Sequence, residues 1–243
     1  MTDKVDILAI GIHPDDVELS ASGTLLKHAA QGRTFGLLDL SRGELGTRGT
    51  AEIRAAEAAD SARILGAQFR ETLDLADGFF QPDRESLLKI IAAIRRCRPE
   101  IVLCNAPDDR HPDHGRAAKL AADACFYAGL EKIETVDIQG VVQQKWRPKA
   151  VYHYVQDKQL TPDFVVDITP FFPKKMEAIF AFRSQFYDPN DDPNQPQTPI
   201  SGKDFIDFMQ AKARVFGRPI QAEFAEGFMF ARTPGVRDLF DLV

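Results

Sequence analysis

The first half of the chain alternates short apolar runs with longer stretches of helical periodicity, and this alternation limits the possible folds most. The runs at residues 5–12, 34–40 and 101–104 are short and rich in aliphatic residues, as buried strands are, and residues 67–73 show a weaker strand pattern. Helical patterns fill the sequence between them. Since parallel strands are joined by crossover helices, the sequence predicts an α/β fold with a doubly wound, mostly parallel sheet and helices on both faces.

The second half follows this pattern less regularly. Apolar runs at 151–155, 164–168 and 228–230 predict further strands, and helical patterns cover 173–186 and 205–216. Residues 129–148 show no clear period and are left unassigned. The polar, proline-rich segment 188–199 is expected to be a loop, either on the surface or partly over a functional site. A chain of 243 residues suits one domain, so we expect a single Rossmann-like domain over residues 1–243.

Composition narrows the class of partner. The net charge is -6 and the pI about 5.4, with no run of lysine and arginine, so neither a nucleic acid nor an anionic membrane surface is expected to bind. The three cysteines, Cys97, Cys104 and Cys125, lack the spacing of a disulfide framework or a thiolate metal site. No apolar stretch is long enough for a membrane span or a signal peptide, and we expect a cytoplasmic protein that acts on a small molecule.

Two short motifs hold three of the five histidines. His13-Pro14-Asp15-Asp16 follows the first predicted strand, and His111-Pro112-Asp113-His114 follows the fourth after a short loop. In a doubly wound sheet of order 3-2-1-4-5, the first and fourth strands are neighbours, and ligands bind beyond their carboxyl ends. The motifs, about a hundred residues apart in sequence, are therefore expected to face each other.

The residue types predict a metal site there. His13 and Asp16 can turn toward one ion from a tight loop, and His114 can supply a third ligand, which leaves a position open for water. Zinc suits this set, although iron(II), cobalt or manganese would also be accepted. Asp15 is left over beside the metal, where a carboxylate can take the proton of a water molecule as general base.

The remaining polar residues of the motifs suit acid–base work and anion binding. His111, with Asp113 near enough to orient or charge it, is suited to hydrogen-bond an oxyanion and to protonate a leaving amine. Arg54, on the next predicted helix, and Arg110 are cations that could hold a carboxylate or another anionic group. Glu18 is either a support for the site or a first-turn helix acid.

Each of these features has a simpler interpretation. Either tetrapeptide alone could cap a helix through an aspartate oxygen, but finding both beyond predicted parallel strands favours the metal site. Arg54 could equally be a solvated surface residue. His153 alternates within a predicted strand and is expected to be structural, and His28 is given no role.

The order of these motifs resembles a known family. HPDD after the first strand, an SRGE-type loop after the second, an arginine on the following helix and HPDH after the fourth strand are similar to the LmbE-like (PIG-L) zinc-dependent N-acetylglucosamine deacetylases. The resemblance implies three sets of residues: zinc ligands His13, Asp16 and His114; a general base, Asp15; and an oxyanion-stabilising pair, His111 and Asp113, with Arg54 as a functional arginine.

Within that family, three segments look most like the bacillithiol-pathway deacetylases, which act on N-acetylglucosaminyl-malate. They are residues 41–49, 154–157 and 183–185. The resemblance implies a malate aglycone, met by one of the arginines 42, 48, 110 or 183, and a homo-oligomer. The substrate-binding candidates are Arg42, Glu44, Arg48, Arg110 and Gln185.

Two other functions stay open from the sequence. An open metal site with a carboxylate base is not selective in itself, so hydrolysis of an ester or a phosphoester is possible on the same residues. A non-catalytic sugar- or nucleotide-binding module is the third hypothesis. The absence of a GxGxxG segment after the first strand argues against a dinucleotide ligand.

Overall fold

The computed structural model describes residues 4–189 and 194–242. The strands are β1 (Ile7–Gly11), β2 (Phe35–Asp39), β3 (Arg70–Thr72), β4 (Ile101–Cys104), β5 (Ala150–Tyr154), β6 (Phe164–Asp167) and β7 (Ala225–Phe230). The helices are α1 (Asp16–Ala30), α2 (Ala51–Leu65), α3 (Arg84–Cys97), α4 (Pro112–Ala128), α5 (Phe172–Phe180) and α6 (Lys203–Gly217). None of the helices in the described ranges combines the length and hydropathy of a membrane span.

The seven strands form one sheet of order β3-β2-β1-β4-β5-β7-β6. The first five are parallel, and the predicted α/β fold with its 3-2-1-4-5 order is confirmed. β7 runs antiparallel to both of its neighbours, β5 and β6. In the central pair, Ile7 of β1 lies beside Ile101 of β4, so the two strands end side by side.

Helices cover both faces of the sheet because neighbouring residues of a strand point to opposite sides. Leu8 and Ile10 of β1 belong to an apolar cluster that α3 and α4 complete. Ile7 and Ala9 belong to a second cluster, with side chains from α1, α2 and α5. The central strands are therefore buried on both faces, which explains their almost uninterrupted apolar sequence.

The structure corrects one predicted helix. The pattern at 173–186 predicted a helix to residue 186, but α5 ends at Phe180 and turns follow. Phe182 and Phe186 stay fully buried in these turns, where Phe186 stacks on Phe205 of α6. The four-residue spacing of Phe182 and Phe186 indicates that both are buried, but it does not distinguish a helix from packed turns.

Other parts of the second half are clearer in the structure than in the sequence. The predicted strand 228–230 is the end of the longer β7, and the predicted helix 205–216 is α6. Residues 129–148, left unassigned from the sequence, contain one isolated antiparallel bridge, between Val136 and Val142. Residues 190–193 of the predicted loop 188–199 lie outside the described residues.

The antiparallel edge gives the first prediction. Phe228 of β7 is 1% exposed and stacks on Phe164 of β6, with 5.4 Å between ring centroids. Replacing Phe228 with alanine should lower the free energy of unfolding by about 3–5 kcal/mol, because it leaves a cavity in the core. Denaturant unfolding measures this value. Phe240→Ala, at a side chain that is 81% exposed, is the matched control and should change stability by less than about 0.5 kcal/mol; equal effects would contradict the packing described.

Candidate active site

The first motif forms the turn between β1 and α1. The backbone N–H of His13 donates to Asp16 Oδ2 at 3.0 Å and closes this turn. Asp15 precedes the first residue of α1 with a φ of 115°, in the left-handed region that few residues other than glycine adopt. Its side chain makes no capping hydrogen bond to the helix. The capping interpretation of this motif therefore does not hold for Asp15, whose carboxylate is left for other contacts.

Asp16 is fixed by amide side chains from two other strands. Asn105 Nδ2, just beyond β4, donates to Asp16 Oδ2 at 2.9 Å, and Gln156 Nε2, beyond β5, donates to Asp16 Oδ1 at 2.6 Å. His114 Nε2 lies 3.3 Å from Oδ1, and His13 Nδ1 lies 3.8 Å from Oδ2. Burial would raise the pKa of Asp16, but contact with His114 outweighs it and holds that pKa well below its usual range.

The second motif begins α4. His111 caps this helix, and its Nδ1 accepts the backbone N–H of Asp113 at 3.3 Å. His114 lies one turn into the helix and contacts Asp109 through Nδ1, which turns Nε2 toward Asp16. Such a carboxylate partner fixes the orientation of a metal-binding imidazole.

Asp113 does not pair with His111 as the sequence led us to expect. In the described part of the chain its carboxylate contacts His13 Nε2 at 3.6 Å, the Gly78 N–H at 2.9 Å and the Arg116 guanidinium. The direct hydrogen bond between the two residues runs from the Asp113 backbone N–H to His111 Nδ1, while the charge of the Asp113 carboxylate acts to raise the pKa of His111.

Three imidazole rings meet at this edge of the sheet. The ring centroids of His13, His111 and His114 are 4.8–5.6 Å apart, and one nitrogen from each lies within 4.8 Å of the others. Ligands at 2.0–2.1 Å around a tetrahedral zinc ion are about 3.3 Å from each other, and the 3.3 and 3.8 Å contacts of Asp16 are near that spacing. The two imidazoles of His13 and His114 thus lie near Asp16, each at a different oxygen of its carboxylate. The described histidines that bring one nitrogen each within 4.8 Å of one another are His13, His111 and His114.

Asp77 is a site residue that the sequence analysis missed. Its Oδ1 lies 3.0 Å from His13 Nε2, and its Oδ2 accepts the Leu45 N–H at 2.9 Å. With His13 and Asp113 it forms a second group of possible metal ligands. Asp77 follows β3 at the same edge of the sheet, so the rule that joined the two motifs could also have pointed to it.

The charges of the site favour a cation. Burial alone would lower the pKa of His13, but bonds to Asp113 and Asp77 outweigh it and raise that pKa to about 10. The pKa of His114 rises to about 9, since Asp16 and Asp109 outweigh its burial in the same way. Carboxylates thus hold protons on both imidazoles. A divalent ion bound there would replace that positive charge.

Arg54 is buried beside Asp15 and is not a solvated surface residue. Its guanidinium donates to the carbonyl oxygens of Gly43 and Pro14 at 2.9 and 2.8 Å and contacts Asp15 Oδ2 at 3.3 Å. Gly43 has a φ of +63°, and a Cβ there would lie 1.9 Å from Arg54 Nη1. Burial raises the pKa of Asp15 to about 7, against the opposing charge of Arg54.

The motifs open into a cavity of about 230 Å³. Apolar side chains supply part of its wall: Leu19, Leu45, Ile200, Phe205 and Met209. Of the substrate-binding candidates, Arg110 and Gln185 line the cavity. Arg110 is exposed and pairs with Asp157, and Gln185 donates to the Arg48 carbonyl oxygen at 2.6 Å.

The other candidates lie elsewhere in the described structure. The Arg48 side chain is buried and donates to Gln195 at 3.1 Å, and Glu44 is exposed and accepts the Asp77 N–H at 2.9 Å. Arg42 and Arg183 are exposed and are not among the described residues that line the cavity.

Two further polar residues have defined surroundings. Glu18 is fully buried and bonds Arg70 at 2.6 Å, so it is not a simple first-turn acid at the surface. His153 is buried, and its Nδ1 lies 2.8 Å from the Asn105 carbonyl oxygen. That contact helps hold the loop that carries Asn105.

The sequence and the fold both have known relatives. The model of the PIG-L family, GlcNAc-PI de-N-acetylase, matches residues 8–125, which contain both motifs. The diacetylchitobiose deacetylase of Thermococcus kodakarensis is 28% identical over 244 residues, which are 96% of this chain and 85% of that protein. The 4-oxalmesaconate hydratase of Pseudomonas putida is 28% identical over 199 residues, 76% of this chain and 75% of that protein.

A solved structure extends the likeness to the whole chain. The conserved protein TT1542 from Thermus thermophilus matches with a TM-score of 0.82 and 35% identity, over 96% of this chain and 98% of that one. The likeness thus includes the antiparallel edge as well as the parallel half. The chain belongs to the PIG-L, or LmbE-like, deacetylase family.

Proposed function

We propose that the protein is a zinc-dependent hydrolase that removes the N-acetyl group from an N-acetylglucosaminide. One observation carries the proposal: His13, Asp16 and His114 converge at one end of a cavity, with the carboxylate of Asp15 beside them. Membership of a deacetylase family supports the amide as the bond that is cleaved.

The ligand set leaves room for substrate and water. His13, Asp16 and His114 would hold the ion, while Asn105 and Gln156 fix the carboxylate of Asp16. When bound, zinc would polarise the acetyl carbonyl and lower the pKa of a water molecule.

Asp15 is placed to act as the general base. It is buried, its pKa is raised to about 7 by burial, and Arg54 holds its Oδ2 at 3.3 Å. As water adds to the acetyl carbon, Asp15 takes one of its protons. The C–N bond then breaks as the nitrogen receives the proton that Asp15 took from the water, and acetate and a free amine leave.

His111 is suited to stabilise the negative oxygen that forms during this addition. Its Nδ1 accepts a backbone N–H, so in the neutral ring the proton lies on Nε2. Burial, helped by the charges of His13 and His114, lowers the pKa of His111 and favours this neutral form. The ring lines the cavity and can donate from Nε2 to the oxyanion.

The finer proposal is that the substrate is N-acetylglucosaminyl-malate, of the bacillithiol pathway. Support comes from the three segments that suggested it, because each has residues in the cavity wall: Leu45 and Gly46, Gln156 and Asp157, and Gln185. Arg110 lines it as well and carries a positive charge for a carboxylate. We also keep the expectation of a homo-oligomer, which the resemblance implies.

A second function has a specific observation behind it. The relative named 4-oxalmesaconate hydratase is matched over three quarters of its length, and adding water to a carbon–carbon double bond also needs a base near a water molecule. Ester and phosphoester hydrolysis would use the same residues. Substrate chemistry therefore has to be tested directly.

A substrate panel separates these functions. The zinc-loaded protein is incubated with N-acetylglucosaminyl-malate, N,N'-diacetylchitobiose, methyl N-acetylglucosaminide, a model ester, a model phosphoester and an unsaturated dicarboxylate, with and without a chelator. We expect amine release from the N-acetylglucosaminides, fastest from the malate conjugate, and its loss with the chelator. Phosphate release, or hydration without amine release, would overturn the proposal.

The base assignment predicts an effect on turnover without loss of metal. Asp15→Asn should lower kcat by about 10²–10⁴-fold, because the water loses its proton acceptor, while zinc content stays the same. Amine release and metal analysis of the same sample measure both. Asp60→Asn, at an exposed aspartate of α2, is the matched control and should turn over normally. Near-normal turnover of Asp15→Asn would remove Asp15 from the mechanism.

Removing a proposed zinc ligand should instead weaken zinc binding. His114→Ala should lower zinc affinity by more than about 100-fold, because a direct ligand is removed. Loss of a residue that only hydrogen-bonds a ligand lowers metal affinity by roughly 10–100-fold. Competition with a chromophoric chelator measures the affinity. His28→Ala, in the last turn of α1, is the control and should bind zinc like the wild type. Unchanged affinity of His114→Ala would contradict the assignment.

A further inference from the structure

One face of α6 forms part of the cavity wall. Phe205, Met209 and Lys212, spaced by four and three residues, lie on the same side of the helix and all line the cavity. Phe205 and Met209 are buried in a cluster with Phe182 and Phe186. Because these two side chains anchor α6, Lys212 is held at the cavity one turn further along the helix.

Lys212 has no anionic partner among the described residues. No carboxylate oxygen in those ranges lies within 4.0 Å of its Nζ. The Nζ lies over the ring of Phe208, 5.4 Å from the ring centroid. The two arginines that line the cavity are paired, Arg54 with Asp15 and Arg110 with Asp157, and carboxylates likewise contact the imidazoles of His13 and His114. Lys212 is therefore the cation of this wall that a ligand can reach without breaking an ion pair.

The surroundings of Lys212 make an added anion favourable. Lys175 lies near it and is itself neutralised by Glu226, at 2.6 Å. Burial and the positive charge of Lys175 lower the pKa of Lys212 to about 8, and they outweigh the carboxylates of Asp157, Asp109 and Glu226, which act to raise it. At neutral pH the group remains mostly charged. A partly buried ammonium beside a second cation gains when a counter-ion replaces the water it has lost.

We propose that Lys212 binds a carboxylate on the aglycone of the substrate and so selects acidic N-acetylglucosaminides over neutral ones. The proposal rests on the proposed deacetylase function and adds a residue that the sequence motifs do not contain. The proposed zinc ligands and Lys212 line the same cavity. One substrate molecule can therefore place its acetamide at the zinc ligands and its acidic aglycone at α6. Phe205 and Met209 would then pack against the apolar face of the sugar ring, which lies between the acetamide and the aglycone.

A purely structural lysine would behave differently. Lys212 lies toward the carboxyl end of α6, where a positive charge favours the helix itself. Removing it would then lower the stability of the protein and affect every substrate alike. A substrate-binding lysine instead changes KM for acidic substrates alone.

The test compares charge variants on matched substrates. Lys212→Met, Lys212→Arg and the control Lys203→Met, at an exposed position of the same helix, are assayed on N-acetylglucosaminyl-malate and on neutral methyl N-acetylglucosaminide. We expect Lys212→Met to raise KM for the malate conjugate by about tenfold or more, since a charged hydrogen bond is lost. Its kcat and its kinetics on the neutral substrate should change little. Lys212→Arg should keep most of the preference for the malate conjugate over the neutral substrate. Added salt should reduce this preference in the wild type.

A binding measurement separates this proposal from the proposed function. Calorimetry of N-acetylglucosaminyl-malate with the zinc-loaded Asp15→Asn protein, with and without Lys212→Met, needs no turnover. Weaker binding in the double variant supports the role of Lys212, even if the wild type releases no amine and the deacetylase function fails. Equal affinity, no binding by either protein, or the same KM change on both substrates would overturn it.

Discussion

The parallel pairing of β1 with β4 is the constraint on which the site depends. It places the carboxyl ends of two strands side by side, so that motifs about a hundred residues apart in sequence lie at one edge of the sheet. The register is fixed by burial on both faces, because a shift by one residue would exchange Leu8 and Ala9 between two different apolar clusters. The same edge receives Asp77 from beyond β3 and Gln156 from beyond β5.

A network of buried polar contacts holds the reactive groups at this edge. Asp16 accepts hydrogen bonds from two amide side chains, and Arg54 joins the loop after β2 to Asp15. Buried charges of this kind contribute little net stability, because taking them out of water costs about as much as their attraction returns. Their value lies in fixed positions and in the altered pKa values of Asp15, His13 and His114.

Much of this arrangement could be predicted from the sequence, and the limits have physical causes. The period of the apolar runs predicts the strands, and the rule for parallel sheets places His13 near His114. The antiparallel direction of β7 was missed, since a short apolar run carries no information about its pairing partner. Asp77 follows β3 at the same edge, so the rule for parallel sheets could have pointed to it, but no neighbouring motif drew attention to it. Asn105 was missed because it is a single polar residue whose contact with Asp16 comes only from the fold.

We propose that the two motifs form one metal centre in which the residues have unequal roles. Zinc-edge anomalous diffraction from crystals of the zinc-loaded protein distinguishes the ligands from their neighbours. We expect one zinc peak, about 2.0–2.2 Å from atoms of His13, Asp16 and His114, with Asp15 and His111 outside the ligand shell. A peak bound by His13 together with Asp77 and Asp113 would contradict it.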